Sequence, residues 1–336
     1  MSTVDIVVPC YNYARFLPDC VASILEQQGV DVRVLIIDDC SPDDTAEVAE
    51  RLVAADPRVT YLRNEANMRL IKTANRGLFE WATADYSLLL SADDALSPGA
   101  LARAVDVMNK NPQVGMVYGL VTMLRGEEPP RGAPEVTDAD VVIIPGRRFF
   151  QMSCDKGNHV PTPTAVVRTR MQHQVGPYDV EFPYTSDYHM WMRFALRGDV
   201  AFINAVQGYY REHTSQMSGT FLGADLIREH LRMVTKLVTT QSSDFEDPEK
   251  VLDGYRRFCA SAALYEAHKH FEDGNAAGVD EYVDFAADHG VPLHELPAWK
   301  SLRMKKVIGL GGYKAVRPVI EFVRSKTRPS VYRGGL

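Results

Sequence analysis

The stretch 88–94, LLLSADD, limits most strongly what this chain can fold into. Its three leucines predict a strand that is buried on both faces, as in a parallel sheet. The strand ends at two adjacent acids, and the Ser97–Gly99 segment that follows is typical of a turn and a helix start. Adjacent carboxylates repel each other and resist burial, a cost that a divalent cation and a diphosphate would remove. A helix N-cap is the alternative interpretation of the same acids.

Predicted strands and helices alternate over the first part of the chain. The strands are predicted at 4–8, 32–37, 59–62, 86–90 and 114–118, and the helices between them at 16–27, 45–52, 73–84 and 98–109. This alternation predicts right-handed βαβ units and a mostly parallel α/β sheet. Ligands of such sheets bind beyond the carboxyl ends of the strands. Because two strands end in paired acids, at 38/39 and 93/94, their ends predict a nucleotide and metal crevice.

The remainder of the chain is less regular and then helical. A loop rich in Pro, Gly and Glu is predicted at 125–139, and a helix is predicted from Ser186 to Leu196, with Asp187 in its first turn. Residues 222–287 carry a helical pattern throughout. A chain of 336 residues is long enough for one large domain and an appendage, or for two domains.

Charge is distributed unevenly. The net charge of −7 argues against a general nucleic-acid binder. From Lys300 to Leu336, ten basic residues and one acid give +9, which leaves −16 for the rest of the chain. A basic tail on an acidic body predicts an anionic partner surface, such as a membrane, for residues 300–333.

The tail also has a helical pattern. On a helix, residues 313–324 would separate basic side chains from an apolar face made of Tyr313, Ala315, Val316, Val319, Ile320, Phe322 and Val323. This pattern predicts an amphipathic surface helix that docks to anionic lipid. A helix that packs on the catalytic domain, with its basic side in water, is the alternative.

Cysteine usage and the absence of apolar runs predict the compartment. The five cysteines are scattered without a CxxC pair, and the N-terminus enters a strand without a basic and apolar leader. No apolar run reaches the length of about 18 residues that a transmembrane helix needs. We expect a cytoplasmic protein, peripheral to the inner face of the membrane if its tail docks there.

Five motifs, in this order, resemble family 2 glycosyltransferases with the GT-A fold. They are VVPCYN at 7–12, IIDDCSPD at 36–43, NRG at 75–77, LSADD at 90–94 and SD at 186–187. The resemblance implies a Rossmann-like, mostly parallel sheet flanked by helices, followed by a C-terminal helical region. It implies three segments: a GT-A nucleotide-sugar-binding and catalytic domain at 1–217, a helical extension at 218–296 and a basic amphipathic tail at 297–336.

The resemblance also implies a donor site. Its residues would be Pro9, Tyr11, Asn12, Asp39, Lys72, Asn75, Ser91, Ala92 and Asp93. Tyr11 would stack on the nucleotide base, which an aromatic face suits, although a core tyrosine is the alternative. Asp39 would accept hydrogen bonds from the base edge or the ribose. Lys72 would counter the diphosphate, unless it is a solvated helix charge.

Metal binding is implied by the match to the DxD motif of the family. Asp93 matches the last acid of that motif, and Ser91 stands where the first acid is expected. His213 would be a further ligand or a diphosphate contact. Oxygen ligands of this kind suit Mn²⁺ or Mg²⁺.

Asp187 matches the acid that acts as general base in the family, where Ser186 replaces a preceding Glu. Inverting sugar transfer needs a carboxylate that takes the proton of the acceptor hydroxyl. A first-turn helix acid is the alternative interpretation of Asp187. The implied acceptor site consists of Thr162, Thr164, Asp94 and Trp191.

These features predict an inverting, metal-dependent glycosyltransferase. It would move a sugar from a nucleoside-diphosphate sugar, with UDP favoured, to a glycan or a lipid-linked acceptor in polysaccharide or lipid-linked glycan assembly. A sugar nucleotidyltransferase is one rival, but the segment after the first strand lacks the glycines of its loop. A nucleotide-sugar-binding subunit without catalysis is the other rival, which Ser91 and Ser186 favour.

Overall fold

The computed structural model describes residues 1–130, 136, 139–213 and 223–327, with only the backbone from 319 onward. The chain divides into two compact units, residues 1–222 with 239–246 and residues 223–238 with 247–336. The predicted segments 1–217, 218–296 and 297–336 stay predictions.

Nine strands within the described residues form one sheet. They are β1 (Thr3–Cys10), β2 (Asp31–Asp38), β3 (Val59–Arg63), β4 (Tyr86–Leu89), β5 (Ala95–Leu96), β6 (Val114–Arg125), β7 (Val141–Ile144), β8 (Val166–Arg168) and β9 (Asp199–Glu212). Their order across the sheet is β3-β2-β1-β4-β8-β6-β9-β5, and β7 pairs with β9. Strands β1 to β4 pair in parallel, as do β6 and β9, which confirms the predicted α/β class.

The helices lie between and after these strands. They are α1 (Leu17–Leu25), α2 (Thr45–Ala55), α3 (Arg69–Arg76), α4 (Ala100–Lys110), α5 (Gly146–Lys156), α6 (Thr169–Val175), α7 (Ser186–Ala195), α8 (Ala224–Thr240), α9 (Pro248–Glu272), α10 (Ala276–Asp288) and α11 (Pro297–Thr327). None of the helices within the described ranges is long and apolar enough to cross a membrane.

The core of the first unit is built on the alternating apolar residues of β1 and β2. Buried side chains of β1, β2, β4, α1 and α4 form one continuous cluster. Asp5 lies fully buried in β1, where its carboxylate accepts hydrogen bonds of 2.7 Å from both Nε and Nη2 of Arg33. The backbone N–H groups of Thr83 and Ala84 also donate to it, at 2.7 and 2.8 Å. Four hydrogen bonds thus offset the cost of burying this charge.

The helix predicted at 73–84 differs from the observed one. Helix α3 begins earlier, at Arg69, and passes into a π-helical turn over Gly77–Trp81. At Gly77 the backbone lies so close to the sheet that an added Cβ would come within 2.4 Å of Val7 Cγ1 and 3.0 Å of Ile37 Cδ1. Glycine is needed here for close approach to the sheet, and not for an unusual backbone angle.

Of the second half of the sheet, the sequence predicted only the start of β6. Strand β6 runs on to Arg125, past the predicted end at residue 118, because it pairs along its length with β9, with register shifts near Gly119. Strands β7, β8 and β9 form in a region with little local pattern. In the predicted loop at 125–139, residues 131–135, 137 and 138 lie outside the described residues.

Helices α9, α10 and α11 and most of α8 belong to the second unit. Helix α11 packs on α9, and Leu302 in its first half is fully buried. The helix is kinked at Gly309, where φ is 69°. Lys305 Nζ and Tyr313 Oη both contact Glu272 Oε1, at 2.6 and 2.8 Å. Tyr313 is therefore buried against α9, and its predicted place on a lipid-facing surface is wrong.

Candidate active site

The carboxyl ends of β1, β2 and β4 meet at one edge of the sheet, because these strands are adjacent and parallel. Cys10 lies opposite Asp38, and Val7 lies opposite Leu89. The segments that leave these strands therefore begin side by side. This edge holds both of the acid pairs, so it is the candidate active site.

The segment after β1 presents an aromatic ring at this edge. Pro9 is buried within β1, opposite Ile37, whereas Tyr11 is 46% exposed, which excludes the core-tyrosine alternative. Asn12 adopts φ of 61°, which Asn tolerates better than most residues, and its N–H donates to Ser41 Oγ at 3.1 Å. The exposed ring thus lies on a loop that is held against the segment after β2.

Both acids at the end of β2 are buried and hydrogen-bonded within the protein. The carboxylate of Asp39 accepts hydrogen bonds from Asn64 Nδ2 at 2.7 Å, Met68 N at 2.8 Å and Arg69 N at 2.8 Å. The carboxylate of Asp38 accepts from Ser41 N at 2.7 Å, Tyr61 Oη at 3.1 Å and Arg63 Nη1 at 2.9 Å. This acid pair stabilises the surrounding loops, and a contact between Asp39 and the nucleotide stays a prediction.

Two predicted donor residues lie on α3 in different surroundings. Lys72 is exposed. Asn75 donates from Nδ2 to the Tyr178 carbonyl at 2.8 Å, and its Oδ1 accepts from Tyr178 N at 2.8 Å. The side-chain amide of Asn75 thus ties α3 to the loop before α7, which is a positioning role that the sequence did not indicate.

The acids after β4 lie in a tight turn. Leu90 N continues the pairing to Val7 O at 3.0 Å, and Asp94 N donates to Ser91 O at 3.0 Å. Ser91 is half-buried, Ala92 is fully buried, and Asp93 and Asp94 retain only 7% and 5% exposure. Two adjacent carboxylates are therefore almost excluded from water.

Asp93 and His213 are brought together across 120 residues of chain. Nε2 of His213 lies 3.0 Å from Asp93 Oδ2, and the imidazole packs against the rings of Tyr13 and Phe16, with centroids 5.2 and 5.3 Å away. The other carboxylate oxygen, Asp93 Oδ1, is buried and has no hydrogen-bond partner among the described residues. A buried oxygen in this state is expected to bind a ligand.

Arg211 was missed by the sequence analysis and is the group that holds this turn. It is 2% exposed, its Nε donates to Asp93 O at 2.8 Å, and its backbone N–H donates to Asp94 Oδ1 at 3.0 Å. Burial, together with the charge of Asp93, raises the pKa of Asp94 well above its usual value. In the sequence, Arg211 lies two positions before His213, in a segment that resembles the one closing the catalytic domain of the family, but no role was predicted for it.

The residues at this turn fit a divalent cation in part. A carboxylate oxygen without a partner and a neighbouring imidazole are suitable ligands for Mn²⁺, and the oxygen also suits Mg²⁺. Within the described ranges, no group of three or more His, Cys, Asp or Glu side chains could hold a metal ion. A cation here would need further ligands from water or from the diphosphate of a donor.

Asp187 lies at the start of α7 in a cluster of hydrogen-bond donors. Thr162 Oγ1 and Asn158 Nδ2 both donate to its Oδ2 at 3.0 Å, and Tyr188 N donates to its Oδ1 at 2.6 Å. Burial raises the pKa of Asp187, although these hydrogen bonds act in the opposite direction. The sequence indicated Thr162, but it gave no signal for Asn158, which is far from α7 along the chain.

Two predicted acceptor residues lie in the interior. Thr164 is 2% exposed, and its hydroxyl bonds the Pro161 carbonyl at 2.8 Å and Gly119 N at 3.2 Å. Trp191 is also 2% exposed, and its indole N–H has no acceptor among the described residues. An acceptor contact of Thr164, Trp191 or the buried Asp94 stays a prediction.

Comparison with known proteins defines the class that this fold and site represent. Residues 5–171 match the family model described as glycosyl transferase family 2. The chain belongs to this family through these residues, and its relatives include glycosyltransferases.

Similar proteins include an uncharacterized protein of Mycobacterium tuberculosis, which is 28% identical over 60% of this chain and 64% of its own length. An uncharacterized glycosyltransferase of Haemophilus influenzae is 22% identical over 65% of this chain and 68% of its own length. The chondroitin synthase of Pasteurella multocida is 33% identical over 34% of this chain, but over only 12% of its own length.

A solved structure confirms the fold. S. aureus TarS 1–349, in complex with UDP-GlcNAc, superposes with a TM-score of 0.65 at 15% identity, over 95% of this chain and 91% of that one. The mannosyltransferase PcManGT of Pyrobaculum calidifontis, in complex with GDP-Man and Mn²⁺, gives a TM-score of 0.52 at 16% identity, over 91% and 79%. At these identities the likeness concerns the fold, which is the predicted GT-A arrangement with C-terminal helices.

Proposed function

We propose that this protein is an inverting, metal-dependent glycosyltransferase that moves a sugar from a nucleoside-diphosphate sugar to a hydroxyl acceptor. The observation that carries the proposal is the buried, unpartnered Oδ1 of Asp93 beside His213, at the carboxyl edge of the sheet. An oxygen that is left without a partner in the protein is expected to obtain one from the bound donor complex. Family membership supplies the reaction class.

Asp187 is the general base of the proposed reaction. As the acceptor oxygen bonds to the anomeric carbon, Asp187 takes the hydroxyl proton, and the bond from that carbon to the diphosphate oxygen breaks. Attack from the side opposite to the leaving group inverts the anomeric configuration. The raised pKa of Asp187 brings the carboxylate closer to the range in which general bases work best. Thr162 and Asn158 hold the carboxylate in place.

The proposed metal site comprises Asp93 and His213. A bound Mn²⁺ or Mg²⁺ would neutralise the charge on the diphosphate leaving group. Arg211 stabilises the turn of Asp93 through a hydrogen bond to the Asp93 carbonyl. The backbone of residues 91–94 thus positions the proposed cation site. The site does not need an acid at position 91, where this chain has Ser91.

We propose a UDP-sugar as the donor, with Tyr11 stacked on the base. The exposed ring of Tyr11 at the carboxyl edge supports this assignment, as does the likeness in fold to a protein solved with UDP-GlcNAc. The acceptor is a glycan or a lipid-linked glycan in polysaccharide or lipid-linked glycan assembly. We place the reaction in the cytoplasm, at the inner face of the membrane, because the basic tail complements an anionic surface.

A donor screen tests this function. The protein is incubated with Mn²⁺ and a panel of UDP-, GDP- and dTDP-sugars, and release of the free nucleotide by slow hydrolysis is measured. One UDP-sugar should be hydrolysed, and the sugar should be released with an inverted anomeric configuration by NMR. Retention of configuration would contradict the inverting mechanism.

Asp187→Asn separates catalysis from donor binding. We expect turnover to fall by about 10²-fold or more, the scale of general-base loss, with near-normal donor binding. Unchanged turnover would show that the base lies elsewhere. Binding of a donor without any hydrolysis or transfer by the unmodified protein would favour the non-catalytic binding subunit, which Ser91 and Ser186 suggest.

A further inference from the structure

The first half of α11 exposes an apolar stripe to solvent. Met304, Val307 and Ile308 are 61%, 80% and 43% exposed. Their spacing of three and four residues puts them on one helix face. Large aliphatic side chains at this spacing normally face a core, so their exposure on one face indicates a contact surface.

The opposite face of α11 packs within the second unit, and this packing keeps the apolar stripe turned toward solvent. Leu302 is fully buried, and Lys305 is bonded to Glu272 of α9 at 2.6 Å. Both residues lie on the side of the helix away from Val307, at 100° per residue. The helix therefore cannot turn its apolar stripe inward without losing its own packing on α9.

Two cations adjoin the stripe on its N-terminal side. Lys300 lies one turn before Met304 on the same face, Arg303 lies one turn before Val307, and both are exposed. Residues 300–336 carry +9 in a chain whose remainder carries −16. Two copies that met symmetrically through this stripe would bring their positive tails together, which like-charge repulsion opposes. An anionic bilayer offers both a negative surface and an apolar layer just beneath it.

We propose that Met304, Val307 and Ile308 form an apolar anchor that inserts into the headgroup region of an anionic bilayer, with Lys300 and Arg303 on the lipid phosphates. This inference refines the membrane-side location proposed above, and its test uses no step of the transfer reaction. The sequence indicated the segment 313–324 as the lipid-facing part, but Tyr313 of that segment is buried on α9. We therefore assign the anchor to residues that precede this segment. Binding needs both parts, since electrostatic attraction brings the helix to the surface and apolar burial holds it there.

The test is co-sedimentation of the full chain with vesicles. Vesicles of phosphatidylcholine with about 30% phosphatidylglycerol should bind the protein, pure phosphatidylcholine should not, and binding should weaken with added salt. The double variant Val307→Glu/Ile308→Glu should bind at least about tenfold more weakly, and so should Lys300→Glu/Arg303→Glu. The matched control is Val53→Glu, an exposed valine of α2, which should bind as the unmodified protein does. Thermal unfolding of each variant checks that it is folded.

The outcomes separate the possible occupants. Loss of anionic-vesicle binding in both double variants, with the control unaffected, supports the anchor. Full binding by Val307→Glu/Ile308→Glu, or no binding by the unmodified protein, overturns the proposal. Light scattering tests for a second copy as the occupant. If the unmodified protein does not bind vesicles but forms a concentration-dependent oligomer, and Val307→Glu/Ile308→Glu abolishes that oligomer, the stripe is a contact between two copies and the proposal is overturned. Donor hydrolysis measured without vesicles should be unchanged in this variant, so a failure here is distinct from a failure of the proposed reaction.

Discussion

Replacing Thr162 by Val removes one of the two side-chain hydrogen bonds that Asp187 Oδ2 accepts, while the shape of the side chain is nearly kept. The bond is 3.0 Å long, and it stabilises the ionised carboxylate, which lowers the pKa that burial has raised. Its loss must therefore raise the pKa of Asp187 further. A base that has to be ionised loses activity as the pH falls through its pKa. We expect the acidic limb of the pH–kcat profile to move to higher pH.

The size of this effect follows from the strength of the lost bond. A hydrogen bond to a charged group contributes about 1.5–3 kcal/mol, and the lower end applies because Asp187 keeps part of its surface in water. About 1.5 kcal/mol corresponds to roughly a tenfold change in the ratio of ionised to protonated carboxylate. On the acidic limb kcat should thus fall about tenfold, whereas the plateau at higher pH should change little. Asn158→Ala should act in the same direction, because Asn158 bonds the same oxygen.

The assay is the pH dependence of turnover at saturating donor, with water as the acceptor where no natural acceptor is known. Thr164→Val is the matched control, since Thr164 lies in the same 3₁₀ turn and has no bond to Asp187 among the contacts of its hydroxyl. It should lower the free energy of unfolding without moving the acidic limb. An equal loss of turnover at every pH in Thr162→Val would show that the hydroxyl orients Asp187 and does not set its pKa. An unmoved limb with normal turnover would show that Asp187 is not the titrating base.

Three further predictions concern the metal site and the fold. Asp93→Asn should abolish transfer and weaken Mn²⁺-dependent donor binding in calorimetry. It should leave the melting temperature unchanged or raised, because Oδ1 has no partner in the protein to lose and the amide oxygen can take the place of Oδ2 beside His213. A clear fall in melting temperature would contradict this. Asp5→Ala should cost about 3–5 kcal/mol in denaturant unfolding, because Arg33 and two backbone N–H groups lose their buried acceptor. Gly77→Ala should destabilise by about 1–3 kcal/mol, because its Cβ would overlap Val7; wild-type stability would show that the helix can shift.

The sequence predicted those strands and helices whose local hydrophobic pattern matches their burial in the fold. Strand β1 and the buried strand β4 have apolar runs with clear ends, and they were placed within two residues of their observed bounds. Strands β8 and β9 were missed, because β9 is held by pairing with β6 and β7 and mixes buried with half-exposed positions. Long-range pairing of this kind leaves little trace in local periodicity.

The same distinction explains which site residues could be predicted. Asp93 and Asp187 follow strand and helix boundaries that can be read locally. Asn158 and Arg211 act through contacts with residues that are distant in the chain, and their types are ordinary for loops and strands. Asp39 could be recognised from its motif, but its surroundings could not. Its carboxylate accepts hydrogen bonds from three donors of the protein itself, and the sequence gave no sign of them.

The acids of the candidate site argue against a protein that only binds nucleotide sugars. Asp93 and Asp94 are nearly buried side by side, and the raised pKa of Asp94 reflects the cost of holding both charges out of water. Burying the unpartnered Oδ1 of Asp93 costs on the order of 1–3 kcal/mol. Hydroxyl and amide groups could hold a diphosphate without that cost, and Ser91 is already one such group in this turn. In the proposed reaction, a cation against Asp93 would recover this cost and would also stabilise the charge on the leaving diphosphate. The acid whose burial destabilises the ligand-free fold is therefore the one that the proposed transfer reaction would use.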